Sequence, residues 1–485
     1  MREKNTATPA KTNPKGVKNI SINSDVPAAN PLGQENIGRL FFRLAIPALV
    51  AQIVNLLYTM VDRMYIGHMP EVGSIALSGI GIASPLLMTV SAFAVLLGAG
   101  GAPRASRLLG AGDQSGAAAV LNTAASSSLG IGIGLSILFI SILKPLLQVL
   151  GAGPNSLPFA YDYSFVYLLG TTAVMFSLGM NQFISVQGFA KAAMLTTVIG
   201  AVLNIFLDPL FIFVFKLGVA GAAWATIISQ AVSAGYVITF LRSGKSFLRL
   251  RFEKPRGKVL LAILALGFSP FIMNATESLL QISFNRSLFK FGGDLAVATM
   301  SINSMISLMT ILPIFGFAQG AVALISYNYG AQNIERLTAS LKYLLCTNLA
   351  VGIVFTGILE LWPHFFVGLF TANHQLLAAT VPCLRLYVAG TFVIGLQISC
   401  QQAFIAFSQA KLSAVMALLR KIILLIPLIF ILPNFIKPEI YAVYIAEPVS
   451  DIISSIVTTV AFLLFLRQEI LRLRLNSAPF KSENR

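Results

Sequence analysis

Apolar residues fill most of this chain in blocks of roughly 20–30, long enough to cross a hydrocarbon core about 30 Å thick. Gly, Pro and charged residues punctuate the blocks. Dividing the runs at those breaks predicts twelve helices, near 38–67, 73–101, 115–143, 158–186, 191–215, 218–242, 258–290, 294–322, 335–361, 376–408, 411–433 and 438–466. Merging neighbours would require helices of more than about forty residues, which the Gly and Pro breaks oppose. The expected fold class is an all-α membrane protein of about twelve transmembrane helices.

Composition agrees with the pattern. Of 485 residues, 56% are hydrophobic and only 11% charged, and the mean hydropathy is +0.80. Soluble domains carry about 25% charged residues, so this chain has too few to cover a water-facing surface. The net charge of +16 changes the picture only through its placement. Seven Lys and Arg fall between Arg242 and Lys258, while Lys144, Lys216, Lys290 and Lys437 are the outer-loop bases. That bias orients membrane helices, and it predicts both termini and the central linker on the cytoplasmic side. Cys346, Cys383 and Cys400 lie in apolar surroundings without paired spacing, and His68, His364 and His374 are scattered. They read as packing and surface residues. Residues 1–36, rich in Lys, Asn, Pro and Ser, read as a disordered cytoplasmic tail, not a cleaved leader.

The basic linker divides the chain in two, and the halves repeat. Gly110-Ala111-Gly112-Asp113 stands 220 residues before Gly330-Ala331-Gln332-Asn333, and Ala190-Lys191 the same distance before Ala410-Lys411. Pro47 with Asp62-Arg63 matches Pro270 with Asn285-Arg286 at 223. Each half holds an even number of helices, so the halves are parallel repeats about an axis along the membrane normal. The expected organisation is a cytoplasmic tail (1–36), an N-lobe of helices one to six (37–243), a basic linker (244–257), a C-lobe of helices seven to twelve (258–467) and a second tail (468–485). Transporters built this way bind substrate between the halves and open alternately to each side.

Particular stretches sharpen the reading. The first helix carries Asn55 through Asp62 to Gly67. The second ends at Gly110-Ala-Gly-Asp113. Asn181 to Met194 joins the fourth and fifth helices, and Asn204-Ile-Phe-Leu-Asp208-Pro209 precedes Gly218-Val-Ala-Gly-Ala-Ala-Trp-Ala-Thr226. Together these resemble the multidrug and toxic compound extrusion (MATE) family over about residues 35–467. Ser185 and Gln187 depart from it, standing where members often carry Arg and Glu. The resemblance implies two six-helix lobes and Na⁺ or H⁺ entry driving export of organic cations and other amphiphiles.

Charged side chains at mid-membrane are costly, about 2.5–3.5 kcal/mol on insertion scales, and so point to function. Asp62 and Asp208 are the two acids within the N-half helices, and Asn204 shares a helix face with Asp208 four residues on. With Thr226 they offer carboxylate, amide and hydroxyl oxygens suited to a hard cation such as Na⁺. The resemblance assigns these four matched positions a cation-coupling role; the bland alternative is a polar cluster that holds helices together. Pro209 removes a helix N–H beside Asp208 and is expected to kink the fifth helix as a hinge. Glu277, mid-span in the seventh helix, is the candidate contact for a cationic substrate. Glu447 and Asp451 are a weaker pair in the twelfth, with Arg286, Arg385, Arg420 and Lys421 available to neutralise these acids or to snorkel. Met60, Met64, Met175, Met300, Met305 and Met309 are candidates for an adaptable cleft lining.

The expected function is a secondary active exporter that antiports Na⁺ or H⁺ against amphiphilic organic compounds, cationic ones foremost. A flippase for a lipid-linked precursor is the alternative, but it calls for a basic cavity. No enzymatic site is expected: no Ser-His pair, His/Glu metal spacing or phosphate loop stands out. No cofactor is expected beyond the coupling ion. The expected partners are small organic substrates and the bilayer of a bacterial plasma membrane, with no nucleic acid and a monomeric protein.

Overall fold

The computed structural model describes residues 30–69, 72–371 and 373–477. Among them the regular elements are all helical. Ten helices are individually long and apolar enough to cross a membrane, and two bent pairs bring the number to twelve. The first half holds α1 (Ile37–Gly67), α2 (Gly73–Gly110), α3 (Gln114–Ser141), the bent α4 (Leu157–Leu169 with Thr171–Ser185), α5 (Ala190–Val214) and α6 (Gly218–Arg242). The second holds α7 (Gly257–Gly293), α8 (Leu295–Gly330), α9 (Ile334–Leu361), the bent α10 (His374–Val388 with Thr391–Ala406), α11 (Ala410–Asn434) and α12 (Glu439–Ser477). The protein is a multi-pass, all-α membrane protein.

The repeat has a structural cause at each matched site. In the turn between α2 and α3, Gly112 takes φ +80°, and Asp113 Oδ1 accepts the Gly116 N–H at 2.7 Å. In the turn between α8 and α9, Gln332 takes φ +55°, and Asn333 Oδ1 accepts the Arg336 N–H at 3.1 Å. A left-handed residue followed by an Asx N-cap therefore reverses the chain twice, 220 positions apart.

Two repeated features escape the helix-by-helix reading. Short helices follow α3 at Leu143–Val149 and α9 at Pro363–Gly368. The fourth and tenth spans, expected as continuous helices, are bent by 60° and 45°. The bends centre on Gly170 and Gly390, where the sixth helix of each half leans in. A Cβ on Gly170 would come within 2.3 Å of Ile227 Cγ2, and one on Gly390 within 2.5 Å of Pro448 Cα.

The lobes meet at one end. A Cβ on Gly110 would fall 1.9 Å from the Tyr327 carbonyl oxygen, and one on Gly330 1.8 Å from that of Arg107. Positions 107 and 110 match 327 and 330, so this contact is its own two-fold mate. The Arg107 guanidinium covers the Tyr329 ring at 4.6 Å, and Gln52 Nε2 donates to Gln319 Oε1 across the same seam. Toward the opposite end Met60, Met64, Met88, Leu279, Ile282 and Met305 of α1, α2, α7 and α8 are half-exposed. The lobes are thus joined at the Gly110–Gly330 end, and apolar side chains are left exposed toward the other.

Several boundaries need correction. Helices α2 and α8 run on to Gly110 and Gly330, past the expected ends near 101 and 322, because Arg107 is absorbed by Tyr329 instead of forming a loop. Residues 30–36, expected as the end of a disordered tail, are folded. The short helix Pro31–Gln34 buries Leu32 beside Gly188, and the Leu32 carbonyl accepts from Arg336 Nη2 at 3.0 Å and Asn328 Nδ2 at 3.3 Å. This segment therefore touches both lobes. Helix α12 extends to Ser477 rather than ending near 466. The tail expected at 1–29, and the part at 478–485, lie outside the described residues.

Candidate cation and substrate sites

In the N-lobe the repeat brings Asp62 of α1, Asn204 and Asp208 of α5 and Thr226 of α6 into one buried pocket. Asn204 Nδ2 donates to Asp208 Oδ1 at 3.2 Å and reaches Thr226 Oγ1 at 3.4 Å. The Asp62 and Asp208 carboxyl groups face each other at hydrogen-bonding range. No ion pair involves either acid among the described residues; the adjacent base, Arg63, points its side chain outward. Three oxygens, Asp62 Oδ1, Asn204 Oδ1 and Asp208 Oδ2, are buried without a donor. Such atoms ordinarily find partners, so this pocket has the chemistry to accept a positive charge. The set is all oxygen, suited to an alkali cation or a proton. No group of three or more His, Cys, Asp or Glu placed to hold a metal ion occurs among the described residues.

The sequence reading missed the tyrosines around it. Tyr58 of α1 and Tyr163 of α4 face the Asp62 carboxyl, and the Tyr163 hydroxyl is within reach of Thr226. A signal existed: Tyr58 precedes Asp62 by one helical turn, and Tyr163 and Tyr167 share a face at the same spacing. Pro209 sits where expected, but the helix does not stop there. A π-helical turn, Leu210–Val214, follows, with the Phe215 N–H bonding the Leu210 carbonyl. The helix absorbs the missing N–H by widening, a feature common beside functional side chains. Gln187, at the departure from the family pattern, is buried as a strut. Its Oε1 accepts from the Leu248 N–H at 2.9 Å and from Ser246 Oγ at 3.0 Å, fastening the basic linker to the N-lobe.

Glu277 lies apart from this pocket, in a C-lobe cluster formed by α7, α10, α11 and α12. Its Oε2 is paired with Lys421 Nζ, which also donates to the Met273 carbonyl at 3.1 Å. Arg420 bridges Asp451 through Nε at 2.7 Å and Glu447 through Nη2 at 2.9 Å. Tyr387 of α10 packs beside these charges. These four helices are the counterparts of α1, α4, α5 and α6. Arg385 pairs loosely with Glu360 instead, at 4.0 Å. Of the candidate methionines, Met60, Met64 and Met305 are half-exposed, while Met175 and Met300 are buried packing residues.

The sequence profile of the MatE family matches residues 47–210 and again 270–431. The two matched blocks begin 223 residues apart and end 221 apart, the offset of the internal repeat. Relatives include the multidrug export protein MepA of Staphylococcus haemolyticus, 24% identical over 420 residues, covering 86% of this chain and 92% of that protein. MepA of Staphylococcus aureus strain NCTC 8325 is 25% identical over 399 residues, 81% of this chain and 87% of its own. Among solved structures, an outward-facing multidrug resistance MATE family transporter of the MOP superfamily superposes with a TM-score of 0.85 at 23% identity, over 91% of this chain and 99% of its own. A MOP superfamily transporter from Pyrococcus furiosus, described as having a binding pocket of reversed polarity, gives 0.84 at 24% identity over 92% and 99%. With both halves matched by one profile and the whole fold shared, the chain belongs to the multidrug and toxic compound extrusion (MATE) family of transporters.

Proposed function

We propose that this protein is a multidrug exporter in which Na⁺ or H⁺ uptake at Asp62 and Asp208 drives efflux of amphiphilic organic compounds, cationic ones foremost. The observation that carries the reading is the trio of buried, donor-less oxygens on Asp62, Asn204 and Asp208. Two carboxyl groups facing each other in a desolvated pocket do not both stay ionised without a counter-charge. A proton or Na⁺ supplies it, with Asn204 and Thr226 orienting the carboxylates. Inward movement of one charge releases about 2.3 kcal/mol per 100 mV. That drives export only if ion and substrate favour different conformations. The widened turn after Pro209 gives α5 a place to yield beside Asp208. The names of the relatives, multidrug export proteins, support the export part of this reading. A pyrophosphate-carrying lipid fits poorly, since the buried charges of the N-lobe pocket are carboxyl groups and neither forms an ion pair among the described residues.

The positive-inside pattern supports a cytoplasmic location for the termini and the 244–257 linker in a bacterial cell; on that reading the joined end of the lobes is cytoplasmic and the cleft between them opens outward. An impermeant thiol reagent should fail to label Lys254→Cys, an exposed linker position, from outside intact cells lacking other cysteines. Proteoliposomes under separately imposed Na⁺ and H⁺ gradients test the coupling. The Asp208→Asn and Asp62→Asn variants should lose gradient-driven export while still accumulating and binding drug in detergent. Full gradient-driven export by Asp208→Asn overturns the assignment.

A further inference from the structure

The C-lobe cluster is more than a buried ion-pair network. Glu277, Glu447 and Asp451 set three acids against two bases, Arg420 and Lys421, so acids outnumber bases inside the lobe. The two bases are held differently. Arg420 is fixed between two carboxylates, with Asp451 only 1% exposed. Lys421 has one carboxylate, and that partner is the open member of the cluster: the Glu277 side chain is 53% exposed against 10% for Lys421. An ionisable residue exposed at membrane depth faces a water-filled cavity rather than lipid, so Glu277 marks the wall of the cleft. The consecutive residues Arg420 and Lys421 both turn inward because α11 widens into a π-helical segment, Leu419–Leu425.

We propose that Lys421 is a built-in competitor for the substrate, its ammonium holding Glu277 until an organic cation arriving through the cleft displaces it. This rests on the exporter reading above and adds a residue that sets its selectivity. Displacement does not strand the lysine, because the Met273 carbonyl is already its second acceptor at 3.1 Å. The incoming cation also meets a cluster in which acids outnumber bases. A lysine suits the role: its ammonium is a point charge on a flexible stem, whereas a guanidinium would lock onto the carboxylate in a two-point grip. Charges packed around Lys421 from the other elements are Glu277 of α7 and Glu447 and Asp451 of α12, with the Tyr387 hydroxyl of α10 and Arg420 on its own helix. A neutral amphiphile gains nothing from displacing Lys421, so the pair sorts substrates by charge.

The test measures binding of tetraphenylphosphonium, a permanent monovalent cation, and of the neutral amphiphile N-phenyl-1-naphthylamine to the purified full-length protein. Lys421→Gln should tighten tetraphenylphosphonium binding about tenfold, the effect of roughly one freed charge contact, and leave the neutral probe unchanged. Glu277→Gln should weaken the cation, and in the double variant the gain from Lys421→Gln should vanish. Unchanged or weaker cation binding by folded Lys421→Gln overturns the proposal. If that variant does not fold, Lys421→Arg keeps the ion pair and should weaken cation binding; unchanged affinity there overturns the proposal equally. The outcomes separate from the exporter reading. Export lost in Asp208→Asn with no gain in Lys421→Gln leaves that reading standing and removes Lys421 from it. A native protein that binds neither probe sinks both.

Discussion

Each lobe gathers a polar cluster on the first, fourth, fifth and sixth helices of its repeat, yet the two clusters balance their charges in opposite ways. In the N-lobe, Asp62 and Asp208 face each other with an amide, a hydroxyl and tyrosines around them and no ion pair among the described residues. In the C-lobe, Arg420 and Lys421 supply counter-charges from the chain itself. Duplication gave both halves the same helices but not the same site, since Asp62 matches Asn285 and Asp208 matches Leu428; substitution then decided separately in each lobe whether a counter-charge is built into the chain. A buried carboxylate that depends on a mobile ion reports the presence of that ion, whereas one paired with an arginine reports nothing and stabilises instead. On the function proposed above, the N-lobe couples, while the C-lobe holds its shape and screens what enters the cleft.

The strongest way to break this contrast is to remove one charge from each pocket and compare stability. Deleting one partner of a buried ion pair costs about 3–5 kcal/mol because the other charge is left alone. Arg420→Met strands both Glu447 and Asp451, so its thermal unfolding midpoint in detergent should fall sharply. Asp208→Asn keeps the shape and removes one of two like charges, so its midpoint should stay level or rise. Equal losses in the two variants would show that both pockets are structural. A smaller effect lies at the bends. The Cβ of Gly390→Ala would press on Pro448 Cα at 2.5 Å, and that of Gly170→Ala on Ile227 Cβ at 2.5 Å, so neither neighbour can escape by changing rotamer. Overpacking costs about 1–3 kcal/mol, and both variants should lose stability to a similar extent. A loss confined to one of them would show that the helix at the other bend can shift aside.

The comparison also marks what a sequence discloses. Twelve spans and the 220-residue repeat were legible because burial in lipid demands long apolar runs and because turn chemistry, such as Asp113 and Asn333 at helix starts, is local. The Asp62, Asn204, Asp208 and Thr226 set was legible through resemblance and spacing, and the structure brings the four together. The bends at Gly170 and Gly390 were not, since a helix breaks there only because another helix, distant in sequence, approaches it. Arg107 looked like the start of a loop because its partner, Tyr329, lies 222 residues away. Pairing within the C-lobe was open for the same reason: four bases were available to three acids, and only packing selects Arg420 and Lys421. Tyr163 was hidden by type, as a tyrosine in an apolar run ordinarily signals an interface anchor.

The finest test compares the two turns that carry the repeat. Asp113 and Asn333 cap the helices that follow them through the same Oδ1 contact, at 2.7 and 3.1 Å. They differ in one respect: Asp113 titrates and Asn333 does not. The Gly116 N–H, with Ser115 assisting, holds the Asp113 carboxyl below its ordinary value of 3.8. A carboxyl lowered by folding contributes stability that is whole above the ordinary value and is lost as pH falls through the folded-state value. Acidification through that window should therefore loosen the start of α3 and spare the start of α9. Hydrogen exchange reads the difference directly, once corrected for the intrinsic pH dependence of each amide. Protection of the Gly116 amide should decline below pH 3.8, while protection of the Arg336 amide stays level. Asp113→Asn should make the two turns behave alike. If the native turns already lose protection together, the carboxylate is not what holds the first of them, and the two caps differ in name only.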